Sequence, residues 1–157
     1  MNKLNANEIA DAEIVPFDIE FLLGRTAETQ PEKQTFKIGD LAREFAVTLR
    51  TLRFYEDRGL LNPERRGTTR LYSRRDRARL RLILLAKTLG FSLTEAKQLI
   101  EIYHESNGKR RQMEVALQRF EEQQEVLLEQ KQEIDRSIEA MGVAIEFVRD
   151  RLKTGTA

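Results

Sequence analysis

The spacing of apolar positions changes near residue 109, which divides the chain into a region of short elements and one long helix. Residues 38–58 read as two short helices joined by a tight turn. Gly39 serves as an N-cap with Asp40 just inside, and Ile38, Leu41, Ala42 and Phe45 share one face. Ala46-Val47 turns the chain. Thr48 then caps a second helix, Leu49 to Arg58, whose inward stripe is Leu49, Leu52 and Tyr55, and Gly59 closes it. Residues 62–72, punctuated by Pro63 and Gly67, form a loop or a small hairpin. If Leu71 lies on a strand, Arg70 and Tyr72 point to the opposite side. Ser73-Arg74-Arg75-Asp76 has the form of a capping box and opens a helix to about Leu89, with Ala78, Leu82, Leu85, Ala86 and Leu89 buried. Gly90 ends it. A second box, Ser92-Leu93-Thr94-Glu95, starts a helix to about His104 that faces Leu93, Ala96, Leu99, Ile100 and Tyr103 inward.

From Lys109 the positions Met113, Leu117, Phe120, Gln124, Leu127, Lys131, Ile134, Ile138 and Met141 step by four and three alternately. That is a coiled-coil seam, with Gln124 and Lys131 as polar positions that fix register. Lys109 to Met141 makes roughly 50 Å of helix at about 1.5 Å per residue. The core available is too small to bury such a seam, so it pairs with a second chain through Met113, Leu117, Phe120, Leu127, Ile134, Ile138 and Met141. Gly142 interrupts the helix. Residues 142–157 form a C-terminal segment that folds back or continues the seam. Residues 1–35 form an acidic, flexible arm; the alternative is that the island Ile14–Leu23 docks over an apolar groove or over the basic face.

Composition narrows the chemistry. The 157 residues are 40% hydrophobic and 34% charged, a balance of long solvated helices around a small core. With no Cys, disulfide scaffolds, Cys-based zinc sites, iron–sulfur clusters and Cys nucleophiles are excluded. One His leaves no multi-His metal site or His-based triad, and His104 reads as a helix-end residue. No Gly-rich phosphate loop, acid pair or nucleophile motif appears, so neither an enzyme nor a cofactor or metal is expected. No apolar run approaches the roughly 20 residues of a membrane span, and no cationic-then-apolar signal opens the chain. A soluble, cytoplasmic protein is expected.

The net charge of +1 hides an asymmetry. Residues 1–36 carry 3 cations against 7 anions, residues 37–90 carry 14 against 6, and residues 91–157 carry 10 against 13. A basic block between acidic ones points to a polyanionic partner. Twelve of its fourteen cations are Arg, whose planar fork suits phosphates and guanine edges. The acidic arm beside this block can shield it.

Residues 38–103 resemble the MerR family of bacterial transcription regulators. The likeness rests on Ile38-Gly39-Asp40-Leu41-Ala42, Thr51-Leu52-Arg53-Phe54-Tyr55-Glu56 and Gly59-Leu60-Leu61-Asn62-Pro63. Arg70-Leu71-Tyr72, Asp76 and Leu89-Gly90-Phe91-Ser92-Leu93 continue it in order and spacing. The resemblance implies a mostly α fold: a winged helix-turn-helix DNA-binding domain over residues 36–105, then a long dimerisation coiled-coil helix. It implies a homodimer that distorts promoter DNA and works with RNA polymerase at the nucleoid. Two departures stand out. Ala46 occupies the turn position usually taken by Gly, and the Cys residues of the metal-sensing branches are absent. A small organic effector, or none, suits this chain better than a soft metal. Its expected place lies between the coiled coil, the 92–104 helix and residues 143–152.

On that reading, Arg50 and Arg53 lie three apart on one face of the second helix, with Thr51 beside them, and meet the major groove. Tyr55 is core by spacing, yet its hydroxyl can reach a phosphate. Arg65, Arg66, Arg70 and Tyr72 in the following loop contact phosphates or the minor groove. Most of Arg74, Arg75, Arg77, Arg79 and Arg81 are solvated or paired with acids of the same domain. The function expected is a sequence-specific regulator reading a near-palindromic operator. The alternative is a coiled-coil interaction protein with non-specific DNA binding.

Overall fold

Local hydrogen-bond devices set most of the helix boundaries. The computed structural model describes residues 19–28, 30–105 and 108–155, the side chains of 103–105 excepted. Its elements are α1 (Ile19–Leu22), β1 (Thr35–Lys37), α2 (Ile38–Glu44), α3 (Leu49–Asp57), β2 (Glu64–Arg66), β3 (Thr69–Ser73), α4 (Arg74–Thr88), α5 (Leu93–Glu105) and α6 (Lys109–Lys153). Both capping boxes form. Ser73 Oγ accepts from the Asp76 N–H at 3.1 Å, and the Asp76 carboxylate accepts from the Ser73 N–H at 3.0 Å. The Glu95 N–H donates to Ser92 Oγ at 3.2 Å, and the Ser92 N–H donates to Glu95 Oε2 at 2.8 Å. Thr48 Oγ1 caps α3 by accepting from the Thr51 N–H at 3.1 Å. The start of α2 differs from expectation. Lys37, not Gly39, is the N-cap, because β1 runs straight into the helix and Asp40 accepts from the Lys37 N–H at 2.9 Å.

The turn between α2 and α3 is a Schellman motif. The Val47 N–H donates to the Ala42 carbonyl at 3.1 Å and the Ala46 N–H to the Arg43 carbonyl at 3.4 Å. Ala46 holds φ +48°, the only positive φ outside glycine among the described residues. The same pair of bonds ends α3, where Leu60 donates to Tyr55 and Gly59 to Glu56, both at 2.9 Å, and there Gly59 takes φ +72°.

Three antiparallel strands in the order β1-β3-β2 pair Phe36 with Tyr72 and Arg65 with Arg70. The β2–β3 hairpin answers the loop-or-hairpin expectation. β1 was not foreseen. The core gathers Leu41 of α2 and Phe45 at its C-cap, Leu52 and Tyr55 of α3, Leu60, Leu61, Tyr72, and Leu80 and Ile83 of α4. Ala96 and Ile100 of α5 are also buried. Leu49 is not inward: it opens α3 with 41% of its surface exposed, a position before the helix has turned onto the core. In α4 the buried face is Leu80, Ile83, Leu84, Leu85 and Ala86, whereas Ala78, Leu82 and Leu89 are only partly covered. The run 82–86 is apolar all round, so its period does not select a face. The side chains of Tyr103 and His104 lie outside the described residues.

The second half of the arm is docked rather than flexible. Leu22 is 1% exposed within the core, the Phe21 ring lies 5.5 Å from that of Phe45, and Glu28 pairs with Arg74 at 2.8 Å and with Arg77 at 3.0 Å. Arg74 also donates to the carbonyls of Pro31 at 2.9 Å and Lys33 at 2.8 Å. Residues 1–18, including Ile14 to Asp18 of the apolar island, lie outside the described residues.

The chain divides into a unit ending at Glu105 and a second beginning at Ser106. Within the second, α6 runs unbroken for 45 residues, roughly 65–70 Å. Gly142 does not interrupt it. One glycine costs a helix only about 1 kcal/mol against alanine, and many residues of good helix propensity outweigh that. The apolar spacing therefore continues through Ile145, Val148 and Leu152, and residues 142–153 run on as part of α6 instead of folding back. Met113, Leu117, Phe120, Leu127, Ile134, Ile138 and Met141 are all exposed on the single chain.

Candidate nucleic-acid interface

Helix α3 is pinned from behind. Leu52 and Tyr55 are fully buried, and the Arg58 guanidinium stacks 4.9 Å from the Phe54 ring. The front carries Arg50 and Arg53, both exposed and without an ion pair to any described residue. Thr51 is half-buried. Its hydroxyl lies 2.9 Å from Thr48 Oγ1, so it serves the cap as well as the face. A short helix fixed at both ends, with two unneutralised guanidiniums on its free side, can present planar donors to base edges and phosphates.

The hairpin beside it sorts its arginines by face. Arg65 and Arg70 are cross-strand partners and turn toward α3, where Glu56 takes both: Oε1 accepts from Arg65 at 3.0 Å and Oε2 from Arg70 at 2.6 Å. Burial pushes the Glu56 carboxyl up, but the hydrogen bonds from Arg70 and Arg65 outweigh it and hold the group below the usual carboxylate range. Arg66, on the other face by strand alternation, is 73% exposed with a loose contact to Glu64 at 3.6 Å. The base of the hairpin is braced by Asp76, which accepts from the Asn62 N–H at 3.2 Å, and by Arg79, which donates to the Leu60 carbonyl at 3.1 Å.

Four expected contact residues need correction. Tyr55 and Tyr72 are 1% and 0% exposed, so both are core side chains. Burial pushes each phenol up to about 12, and Tyr72 keeps a buried hydroxyl without a hydrogen-bond partner. Arg65 and Arg70 are ties to Glu56, with 54% and 20% of their side chains exposed. Arg50, Thr51, Arg53 and Arg66 remain on the open surface or its edge. Arg74 and Arg77 are used internally, with Glu28 and Glu44. Glu28 of the arm thus pairs with Arg74 and Arg77 of α4, and no described acid forms an ion pair with Arg50 or Arg53 of α3. The tie that Glu56 makes between α3 and the hairpin is not signalled by the sequence. Its partners lie 9 and 14 residues away, and no local spacing signals them. Among the described residues no cluster of His, Cys, Asp or Glu suits a metal ion, and no helix is long and apolar enough to cross a membrane.

Comparison with known proteins matches two family models: "MerR HTH family regulatory protein" over residues 36–101 and "MerR, DNA binding" over residues 77–151. The HTH-type transcriptional regulator HmrR of Rhizobium leguminosarum bv. viciae is 37% identical over 71 residues, 45% of this chain and 55% of that protein. The chain thus spans about half the length of that relative. A MerR-family transcriptional regulator of Bacillus cereus superposes with a TM-score of 0.56 at 32% identity, covering 68% of this chain and 77% of that one. HiNmlR, a MerR-family regulator lacking the sensor domain and bound to promoter DNA, superposes with a TM-score of 0.53 at 25% identity, covering 77% of this chain and 95% of that one.

Proposed function

The chain belongs to the MerR family, and from that membership we propose that it is a sequence-specific DNA-binding transcriptional regulator acting as a homodimer. The observation that carries this reading is the set of exposed cations on two adjoining elements. Arg50 and Arg53 on α3 are exposed and without an ion pair to any described residue, Arg66 extends from the hairpin with only a loose contact to Glu64, and Arg65, Arg70, Arg74 and Arg77 are paired with acids of the same unit. Helix α3 enters the major groove, where Arg50 and Arg53 donate to guanine edges or flanking phosphates and Thr51 lies beside them. Arg66 meets the backbone, giving affinity and register more than sequence choice. Two copies pair along the α6 seam through Met113, Leu117, Phe120, Leu127, Ile134, Ile138 and Met141. A two-fold dimer reads a near-palindrome in successive major grooves and distorts the promoter between them for RNA polymerase.

The role is regulatory rather than enzymatic, in the cytoplasm where promoter DNA lies. A small organic effector fits a chain without Cys better than a soft metal. Non-specific binding by a coiled-coil interaction protein is the less favoured reading, because HmrR and the B. cereus structure are both transcriptional regulators. Selection of bound fragments from a genomic library at two salt concentrations tests this. Enrichment of one near-palindrome that survives the higher salt is expected. Uniform recovery that collapses with salt would leave backbone binding alone.

A further inference from the structure

Glu56 faces two cations that should repel each other. Arg65 and Arg70 stand directly opposite in the β2–β3 register, where like charges destabilise a strand pair. The Glu56 carboxylate is shared between them, one oxygen to each arginine, at 3.0 and 2.6 Å. It is only 17% exposed, so these charge-assisted bonds form in a partly dry pocket. Glu56 also lies three residues past Arg53 on α3, close to one helical turn. One carboxylate therefore fastens the wing to the helix that carries the groove-facing side chain. Strand alternation leaves Arg66 pointing away from this clasp.

We propose that Glu56 is a positioning residue for DNA binding: it holds the β2–β3 wing at a fixed angle to α3, spends Arg65 and Arg70 on that hold, and so makes Arg66 the wing arginine that meets DNA. This rests on the DNA-binding reading above. A simpler role makes the opposite prediction. If Glu56 were only an acid near a polyanion, removing its charge would reduce repulsion, free two guanidiniums for phosphates and tighten binding.

The experiment uses the full chain and five variants: Glu56→Gln, Glu56→Asp, Arg70→Gln, Arg66→Gln and the double variant Glu56→Gln/Arg70→Gln. The first measurement needs no DNA. Trypsin cleavage after Arg65 and Arg66 is followed by mass spectrometry, relative to cleavage within α6. Glu56→Gln and Arg70→Gln should each speed the wing cuts several-fold, and the double variant should add little to either. The second is fluorescence anisotropy with the duplex that the wild-type chain enriches most strongly from the genomic library. Glu56→Gln should bind about tenfold more weakly, equivalent to about 1.4 kcal/mol, with its salt slope undiminished. Glu56→Asp keeps the charge but shortens the reach, and should lose affinity as well. Arg66→Gln, which removes one cation from each wing of the two-fold dimer, should lower the salt slope by about two. Tighter or unchanged binding by Glu56→Gln, wild-type behaviour of Glu56→Asp, or unchanged wing cleavage would each overturn the proposal. If the wild-type chain enriches no duplex, the functional reading fails separately, and the trypsin result still decides whether Glu56 holds the wing. The near-UV tyrosine signal, from Tyr55 and Tyr72 in the core, confirms that each variant is folded.

Discussion

Ala46→Gly should stabilise the first unit. Ala46 is the C′ residue of a Schellman motif at φ +48°, while the matching position after α3 is Gly59 at φ +72°. The left-handed region costs an L-residue about 1–2 kcal/mol through its Cβ. Glycine removes that cost but adds unfolded-chain entropy worth about 0.4–1 kcal/mol. The difference favours glycine by about 0.5–1 kcal/mol. No packing is lost to offset the gain, because Ala46 is exposed. For a domain of this size the shift in Tm is about 2–6 °C. Thermal melting followed by near-UV tyrosine dichroism reads this unit alone, since all three Tyr lie before residue 106. Ala46→Val, with a branched Cβ in the same conformation, should melt below wild type, as should Gly59→Ala. A lower Tm for Ala46→Gly, or Ala46→Val equal to wild type, would refute the claim that strain is stored at this turn.

Leu22→Ala should destabilise the first unit by about 3 kcal/mol, because it empties a fully buried site in a segment outside the family match; urea denaturation measures it, and a neutral result would mean the arm does not contribute to the core. Stability should fall with acid through Glu56 and Asp40. In Asp40 the bond from the Lys37 N–H lowers the carboxyl first, burial opposes it, and Lys33 adds to the lowering. Both groups are depressed on folding, so their contribution is complete above the unfolded carboxylate range and is lost from about pH 5 downward. Urea midpoints at pH 7 and pH 4 should therefore converge in Glu56→Gln relative to wild type. Leu127→Lys, which enters the α6 seam twice in a two-fold dimer, should weaken self-association about 100-fold, equivalent to about 2.7 kcal/mol, by sedimentation.

Much of the helical layout was legible because its determinants lie within four residues of one another. Ser73 with Asp76, Ser92 with Glu95, and Thr48 with Thr51 announce three helix starts, and each bond forms. The heptad spacing after Lys109 likewise belongs to one helix and needs no partner to be read. Gly142 was over-weighted, since a propensity penalty is a sum over the helix and not a stop signal.

The site was legible only as a composition: a basic block, an Arg-bearing helix and an Arg-bearing hairpin. Which arginines are available was decided by tertiary structure. Arg66 and Arg70 look alike in sequence, but the strand register turns one outward and the other onto Glu56. Tyr55 and Tyr72 share the amphipathic character of contact residues, and they are buried because α3 and β3 pack those faces inward. Strand β1 pairs with β3 residues 34 to 38 positions away, and the arm is held by Arg74, 43 residues beyond the Pro31 carbonyl it binds. A carboxylate that reaches across 14 residues, or a strand that pairs across 36, closes a loop whose ends the local pattern does not name. Those ends are chosen by which faces are dry once the core has formed. The sequence alone therefore determined most of the helices, the caps at Thr48, Ser73 and Ser92 and the charge, and the strand register and packed core determined which of those charges remain exposed.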